Sequence, residues 1–346
     1  MMTADTDLSP RMTVPLFVGQ GTIAFGSKEI PVTGDGELLI QVKANALCGS
    51  DRGQFYDGTP VTPGHEAAGL VIAGGTGTTT SPGTPGVVFL MAFCGECSNC
   101  KNDFTNLCLN KQADYGFSDD GGYAPYMVVK EHVFFPIDPQ IPFAEATLLL
   151  DIMGTGGHAI KRAQRIRPDI NSILIAGAGP IGLGVLAMAK LLLGQDKPVY
   201  VMDYVPYRLE LAEKLGAIPI HLGNMSVSDV VRNRGHAGID VAVDTSGKTA
   251  ARQMALEALN KRGVLVCVGH GQELHLQVSN DLIATERAVL GSEYFQFHEL
   301  AENHELLLKH LPYLSQIITH RCRVDHIQQA YEMFFEGQTG KVVIEQ

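Results

Sequence analysis

Over the first 150 residues the apolar positions come in short runs cut by Gly and Pro. ELLIQVKANALC (37–48), HEAAGLVIAGG (65–75) and YMVVKEHVFFPI (126–137) each have the texture of a strand. Clusters such as GGTGTTTSPGTPG (74–86) lie between them and predict turns. From about residue 151 the pattern changes. ILIAGAG (173–179), PVYVMD (198–203), IDVAVDTSG (239–247) and GVLVCVGHG (263–271) are short apolar strands, separated by helical stretches such as YRLELAEKLGA (207–217) and AARQMALEALNKRG (250–263). Strand–helix alternation predicts an α/β unit with a doubly wound parallel sheet. After about residue 293 the chain runs through HELAENHELLLKHLPYL (298–314) to a final strand, KVVIEQ (341–346). The expected division is a β-rich domain over 1–154, a doubly wound domain over 155–292, and a tail, 293–346, that returns to complete the first domain. No internal repeat or low-complexity block is present.

The segment ILIAGAGPIGLGVLAMAKLLLG (173–194) is apolar enough to resemble a membrane span, yet it holds four glycines in its first twelve residues, a Pro and a Lys. A buried strand, a Gly-rich turn and a buried helix account for it better. The N-terminus, MMTADTDLSPRM, has no apolar segment and reads as a short disordered tail, not a signal peptide. The chain has 346 residues, 45% of them hydrophobic and 18% charged, as in a water-soluble globular protein. Its net charge of -11 argues against nucleic acid or an anionic membrane as a partner. Seven cysteines without a secretion signal point to a reducing, cytoplasmic setting with thiols used for metal.

Cys94, Cys97, Cys100 and Cys108 stand at the spacing C-x2-C-x2-C-x7-C. Four thiolates this close can turn toward one tetrahedral Zn2+. Two short disulfides or unrelated free thiols are the competing readings. A closed four-thiolate site has no vacant position and is therefore expected to be structural.

A second pattern follows the strand at 173. Gly177-Ala178-Gly179-Pro180-Ile181-Gly182 is G-x-G-x-x-G between a strand and a helix. Gly177 permits the tight turn, Gly179 removes a Cβ where a pyrophosphate approaches, and Gly182 lets helix and strand pack closely. The helix N-terminus then presents free N–H groups to the phosphates. Asp203 ends the next strand, 21 residues beyond Gly182, where a carboxylate can accept from the ribose hydroxyls of NAD and would repel the 2′-phosphate of NADP. A helix N-cap is the plainer reading of Asp203.

Cys48 in ALCGSD, His65-Glu66 in PGHEAAG and Asp151 in LLLDIMGTGG lie outside the cysteine loop. Singly, Cys48 can be a small core residue, His65 a satisfied buried histidine and Asp151 a helix cap. CGSD, GHEAAGLV, the four-cysteine loop, DGGYAPY, GAGPIGLG, VMDYVPYRLELAEKLGA and DTSG, however, occur in one order. That order resembles the zinc-dependent medium-chain alcohol and polyol dehydrogenases, over nearly the whole chain from about Leu39 to the terminal GKVVI.

The resemblance implies a GroES-like β-rich catalytic domain beside a Rossmann coenzyme domain, two Zn2+ per chain, and NAD. It makes Cys48 and His65 ligands of a catalytic zinc, puts Asp151 in the place of the third ligand, and sets Glu66 beside the metal, ligating directly or through water. One thiolate, one neutral imidazole and one carboxylate leave Zn2+ formally neutral with a fourth position open. Asp51 resembles the carboxylate that orients the ligand histidine. Ser50 resembles the hydroxyl that takes the alcohol proton, Thr155 a residue beside the nicotinamide, and Arg208 a basic contact to the adenosine ribose, with a surface serine and a solvated helix charge as the plainer readings of Ser50 and Arg208. The implied reaction passes a hydride from a secondary alcohol of a polyol, sugar or cyclitol to NAD. Dehydrogenation of simple alcohols or aldehyde adducts is one alternative, and a non-catalytic nucleotide-binding protein on the same fold is another. The implied assembly is a dimer or tetramer of the same chain. Many relatives follow CGSD with a relay histidine; here Gly53 occupies that place, and sequence does not choose a substitute among His132, His158, His270 and His298. His158, in GGHAIKRA, reads most simply as a packing residue.

Overall fold

The computed structural model describes residues 10–346. The expected disordered tail therefore lies outside the described residues up to Ser9. Its last residues depart from that expectation, because Arg11 and Met12 already belong to the strand Arg11–Gly19. This strand pairs antiparallel with Thr22–Glu29, Met12 and Val14 are buried beneath it, and Arg11 sits opposite Glu29.

The strands after residue 172 form a six-stranded sheet. Its order is Ile218–His221, Val199–Asp203, Ile173–Ala176, Ile239–Asp244, Leu259–Cys267, Ala288–Gly291, and every neighbouring pair is parallel. The chain leaves Ile173–Ala176 toward one side and later returns to its other side. That reversal opens a crevice at the carboxyl end of the strand, where ligands bind in such sheets. The helices Pro180–Leu193, Pro206–Lys214 and Thr249–Glu257 connect the strands. The apolar segment 173–194 is thus a strand, a turn and a helix. Among the described residues no helix is long and apolar enough to cross a membrane.

A seven-stranded, mostly antiparallel sheet carries the rest. Its path runs Ile318–Arg323, Lys341–Glu345, Glu37–Ala46, Ala67–Gly74, Pro85–Val88, Phe134–Pro136, with Tyr126–Lys130 also paired to Glu37–Ala46. The final strand lies antiparallel to Glu37–Ala46, with Val343 opposite Ala46. The chain end is thereby brought back against residues encoded almost three hundred positions earlier.

Two segments differ from the pattern read above. YMVVKEHVFFPI is not one strand but two, Tyr126–Lys130 and Phe134–Pro136, separated by a turn at Glu131–Val133. The Glu131 carboxylate accepts from the N–H groups of Thr79 and Thr80 at 2.8 and 2.7 Å, which fixes the turn. The helix expected over 250–263 ends at Glu257, and the next strand starts at Leu259. Leu259 is buried and pairs with Ile239, after which a bulge at positive φ on Arg262 holds the polar residues outside before Val264 re-enters the core.

Candidate active site and metal centres

The cysteine loop is bracketed by a small ribbon, Met91–Ala92 against Ala113–Asp114. Its four sulfurs lie within 4.8 Å of one another. Cys94 Sγ is 4.0 Å and Cys97 Sγ 3.5 Å from Cys100 Sγ, around the roughly 3.8 Å that tetrahedral bonds of about 2.3 Å require. All seven cysteines are free thiols, so the disulfide reading fails. Backbone N–H groups converge on the sulfurs: Cys97 Sγ accepts from Cys100 and Leu109 at 3.5 and 3.4 Å. These two donors pull the Cys97 thiol down to about 6. Burial pushes Cys100 up to about 12, so this thiol needs a cation to ionise readily.

The second cluster joins three distant segments. Cys48 follows the strand Glu37–Ala46 and caps the turn Gly49–Asp51. His65 and Glu66 immediately precede the strand Ala67–Gly74. Gly64, before them, has φ +104, and a Cβ there would fall 2.8 Å from the Tyr123 nitrogen, so only glycine lets the His65 segment pass. Asp151 opens a π-helical turn, Asp151–Thr155, of the kind often found at functional sites. Ligand atoms of Cys48, His65, Glu66 and Asp151 all lie within 4.8 Å of one another. His65 Nε2 is 3.6 Å from Asp151 Oδ2, while its Nδ1 is 3.3 Å from Asp51 Oδ1.

Around this cluster acids outnumber bases. Burial disfavours the imidazolium of His65, but Asp51, Asp151 and Cys48 outweigh it and hold the group well above its ordinary value. Burial, reinforced by Asp151, raises the Cys48 thiol. Burial and Asp151 push Glu66 up to about 8, against the pull of Lys341 and His65. Burial opposes ionisation of Asp151 as well, but His65 and Lys341 hold its carboxyl well below the usual range. Glu66 Oε2 is fully buried with no hydrogen-bond partner. A soft, an imidazole and two carboxylate donors around one point, with an orphaned carboxylate oxygen, fit a divalent ion such as Zn2+.

The coenzyme crevice runs from this cluster to the end of Val199–Asp203. It is a cleft of about 590 Å³ whose lining includes Cys48, Gly177, Gly179, Asp203 and Arg208. Gly177 has φ +102, and a Cβ on Gly182 would lie 1.9 Å from the Gly177 carbonyl oxygen. A Cβ on Gly179 would meet nothing within 4 Å. Gly182 therefore serves chain packing, and the open side of Gly179 faces space a phosphate can fill. Pro180 and Ile181 start the helix Pro180–Leu193 at the same wall. Asp203 Oδ2 accepts from Ala178 N at 2.7 Å, and Oδ1 from Tyr204 and Val205 at 2.7 and 2.9 Å. The N-cap of Pro206–Lys214 is Val205, not Asp203.

Other residues singled out from sequence are not among the converging donors. Ser50 is exposed in the turn beside Gly49, and Thr155 is buried one turn beyond Asp151. None of His132, His158, His270 and His298 lines the cleft. His158 is instead buried against Glu299 at 2.8 Å. A Cβ at Gly53 would meet nothing within 4 Å, so that side is open.

Sequence patterns give no role to four further side chains, although Tyr123 stands in DGGYAPY and Lys341 in GKVVI. Lys341, fully buried on the returning strand, pairs with Glu66 Oε1. Tyr331 donates to Asp51 Oδ2 at 2.6 Å and lies 2.8 Å from the Tyr123 hydroxyl. Tyr294, at φ +43, buries a hydroxyl without a hydrogen-bond partner. Its ring lies 5.2 Å from Phe89 and 4.3 Å from Phe295. Burial, then the charges of Asp151 and Glu66, raise its pKa well above normal.

Known proteins resemble the chain along most of its length. Residues 34–139 match the alcohol dehydrogenase GroES-like domain, and residues 180–309 match the zinc-binding dehydrogenase domain. The chain is 31% identical to the L-threonine 3-dehydrogenase of Colwellia psychrerythraea, over 92% of this chain and 94% of that protein. It is 29% identical to an uncharacterized zinc-type alcohol dehydrogenase-like protein, YphC, of Escherichia coli K12, over 94% and 96%. The solved alcohol dehydrogenase TADH from Thermus sp. ATN1 superposes with a TM-score of 0.88 at 25% identity, covering 97% of this chain and 100% of that one.

Proposed function

Because the chain belongs to the zinc-dependent medium-chain dehydrogenases, we propose that it oxidises a secondary alcohol of a polyol, sugar or cyclitol with NAD. The convergence of Cys48, His65, Glu66 and Asp151 at one end of the Gly177–Gly182 cleft carries the reading. The same reading takes 155–292 as the coenzyme unit, supported by the parallel sheet, and 293–346 as completing the catalytic unit, supported by the pairing of Lys341–Glu345 with Glu37–Ala46.

When bound, Zn2+ supplies Lewis acidity toward the substrate oxygen and NAD supplies the hydride acceptor. Cys48, His65 and Asp151 hold the metal in this reading, with Glu66 beside it. Asp51 fixes the His65 ring from the Nδ1 side, and Tyr331 and Tyr123 fix Asp51 in turn. Lys341 compensates the charge of buried Glu66. The Gly177–Gly182 turn and the following helix N-terminus take the phosphates, and Asp203 accepts from the adenosine ribose, with Arg208 nearby. Thr155 borders the nicotinamide. Ser50 takes the alcohol proton and passes it to water, which has access beside Gly53. The 31% identical relative is named an L-threonine 3-dehydrogenase, and L-threonine carries polar groups beside its hydroxyl, which supports an alcohol with a neighbouring polar group over a simple alcohol.

Two measurements test this. Cys48→Ala should lose one zinc of two per chain and abolish NADH formation; unimpaired turnover would refute the catalytic role. A screen of polyols, cyclitols, sugars, L-threonine and simple alcohols should give the highest kcat/KM for a substrate with adjacent oxygens. A clear preference for a simple primary alcohol would remove the polyol assignment.

A further inference from the structure

Arg52 opens the short helix Arg52–Asp57, four residues after Cys48, and lines the coenzyme cleft. Its guanidinium carbon lies 5.0 Å from the ring centroid of Tyr56 and 5.0 Å from that of Phe335. Two aromatic rings therefore hold it, which limits the rotamers it gives up on binding. Arg167, Arg252 and Arg321 each have a carboxylate partner, Asp240, Asp244 and Glu145. Arg52 has none among the described residues. In a chain of net charge -11, an unpaired cation pre-positioned in a cleft calls for an anion from outside.

The place of Arg52 along the cleft says which anion. Cys48 marks the metal end, and Asp203 with Arg208 marks the far end. Phe335 lies two residues before Gly337, where a Cβ would come within 3.2 Å of Arg208 Nη2. Arg52, four residues from Cys48 and stacked on Phe335, thus stands between the two ends. Gly179, Pro180 and Ile181 line the same cleft, at the start of a helix 14 residues long. That helix N-terminus offers N–H donors but only a partial positive charge, while a dinucleotide bridge carries two full negative charges. We infer that Arg52 grips the pyrophosphate of the coenzyme, supplying from the metal-bearing side of the cleft the full charge that the Gly177–Gly182 turn lacks. A guanidinium suits two phosphate oxygens in a fork, which a lysine cannot reproduce. The inference rests on the coenzyme reading above and adds to it a contact formed by the other half of the molecule.

The test titrates the zinc-loaded protein with NADH by nucleotide fluorescence and displaces the bound NADH with ADP or with adenosine. Arg52→Gln keeps most of the stem against Tyr56 and Phe335; Arg52→Lys keeps the charge. In Arg52→Gln, NADH and ADP should bind about 10- to 100-fold more weakly, as expected for loss of a charge-assisted contact, with adenosine unchanged. Arg52→Lys should recover part of the loss. NADH affinity within twofold of wild type in both variants overturns the inference, and a raised KM for the alcohol alone would reassign Arg52 to a substrate anion. Equal weakening of ADP and adenosine also overturns it. Failure of the wild-type protein to bind either NADH or NADPH would bring down the coenzyme reading itself.

Discussion

The buried carboxylate behind His65 offers a sharp test of how the metal centre is built. Asp51 is fully buried, and its Oδ2 accepts from Tyr331 at 2.6 Å, Cys48 N at 3.3 Å and Tyr123 at 3.4 Å. Only the first is short, so Tyr331→Phe removes the strongest support and leaves two long ones. A hydrogen bond to a charged acceptor contributes about 1.5–3 kcal/mol. If that energy orients Asp51 and through it His65, zinc affinity should fall about 10- to 100-fold, the usual range for loss of a partner behind a metal ligand. Tyr123→Phe should cost less because its bond is longer. Since the two hydroxyls are 2.8 Å apart, the double variant should not equal the sum of the singles. The assay is competition with a zinc-binding fluorophore, and the four-cysteine loop is an internal control. Loss confined to one of two zinc ions is the expected result. Unchanged affinity at the weaker site, or equal loss at both, would refute the argument.

The coenzyme preference and one buried ion pair give further tests. Asp203→Ala should weaken NADH by about 10- to 100-fold, from loss of charged hydrogen bonds, and NADPH much less; equal losses in parallel titrations would remove the ribose role. Glu299 is buried with His158 at 2.8 Å, Lys161 at 3.3 Å and Gln296 N at 2.9 Å. Burial opposes its charge, but His158 and the other donors hold its carboxyl below the ordinary 4.5. A depressed folded value stabilises the fold above 4.5, and the gain disappears as pH falls through the folded value. Glu299→Gln should therefore destabilise by about 1–3 kcal/mol at neutral pH, and urea midpoints of variant and wild type should converge in acid.

The parts of the site legible from spacing are those whose chemistry is local, whereas Cys48, His65 and Asp151, far apart along the chain, are joined in the sequence only by the family resemblance. Cys94 to Cys108 span one loop, and Gly177 to Gly182 one turn, so spacing alone placed their donors and bare backbone together. Residues supplied by the chain end were invisible for the opposite reason. Lys341 is 275 residues from Glu66 and Tyr331 is 280 from Asp51. Their proximity depends on the register of Lys341–Glu345 on Glu37–Ala46, which no short pattern encodes. Arg52 carries no signal in the sequence, because the aromatic face that holds it, Phe335, also comes from that end. The early start of the strand at Leu259 was masked by AARQMALEALNKRG, whose good helix formers continue past the point where pairing with Ile239 takes over.

Zinc-edge anomalous diffraction from crystals of the purified protein tests the central claim most directly. Two peaks per chain should appear: one among the sulfurs of Cys94, Cys97, Cys100 and Cys108, the other bounded by Cys48, His65 and Asp151 with a vacant side toward the cleft. A single peak, confined to the cysteine loop, would contradict the account.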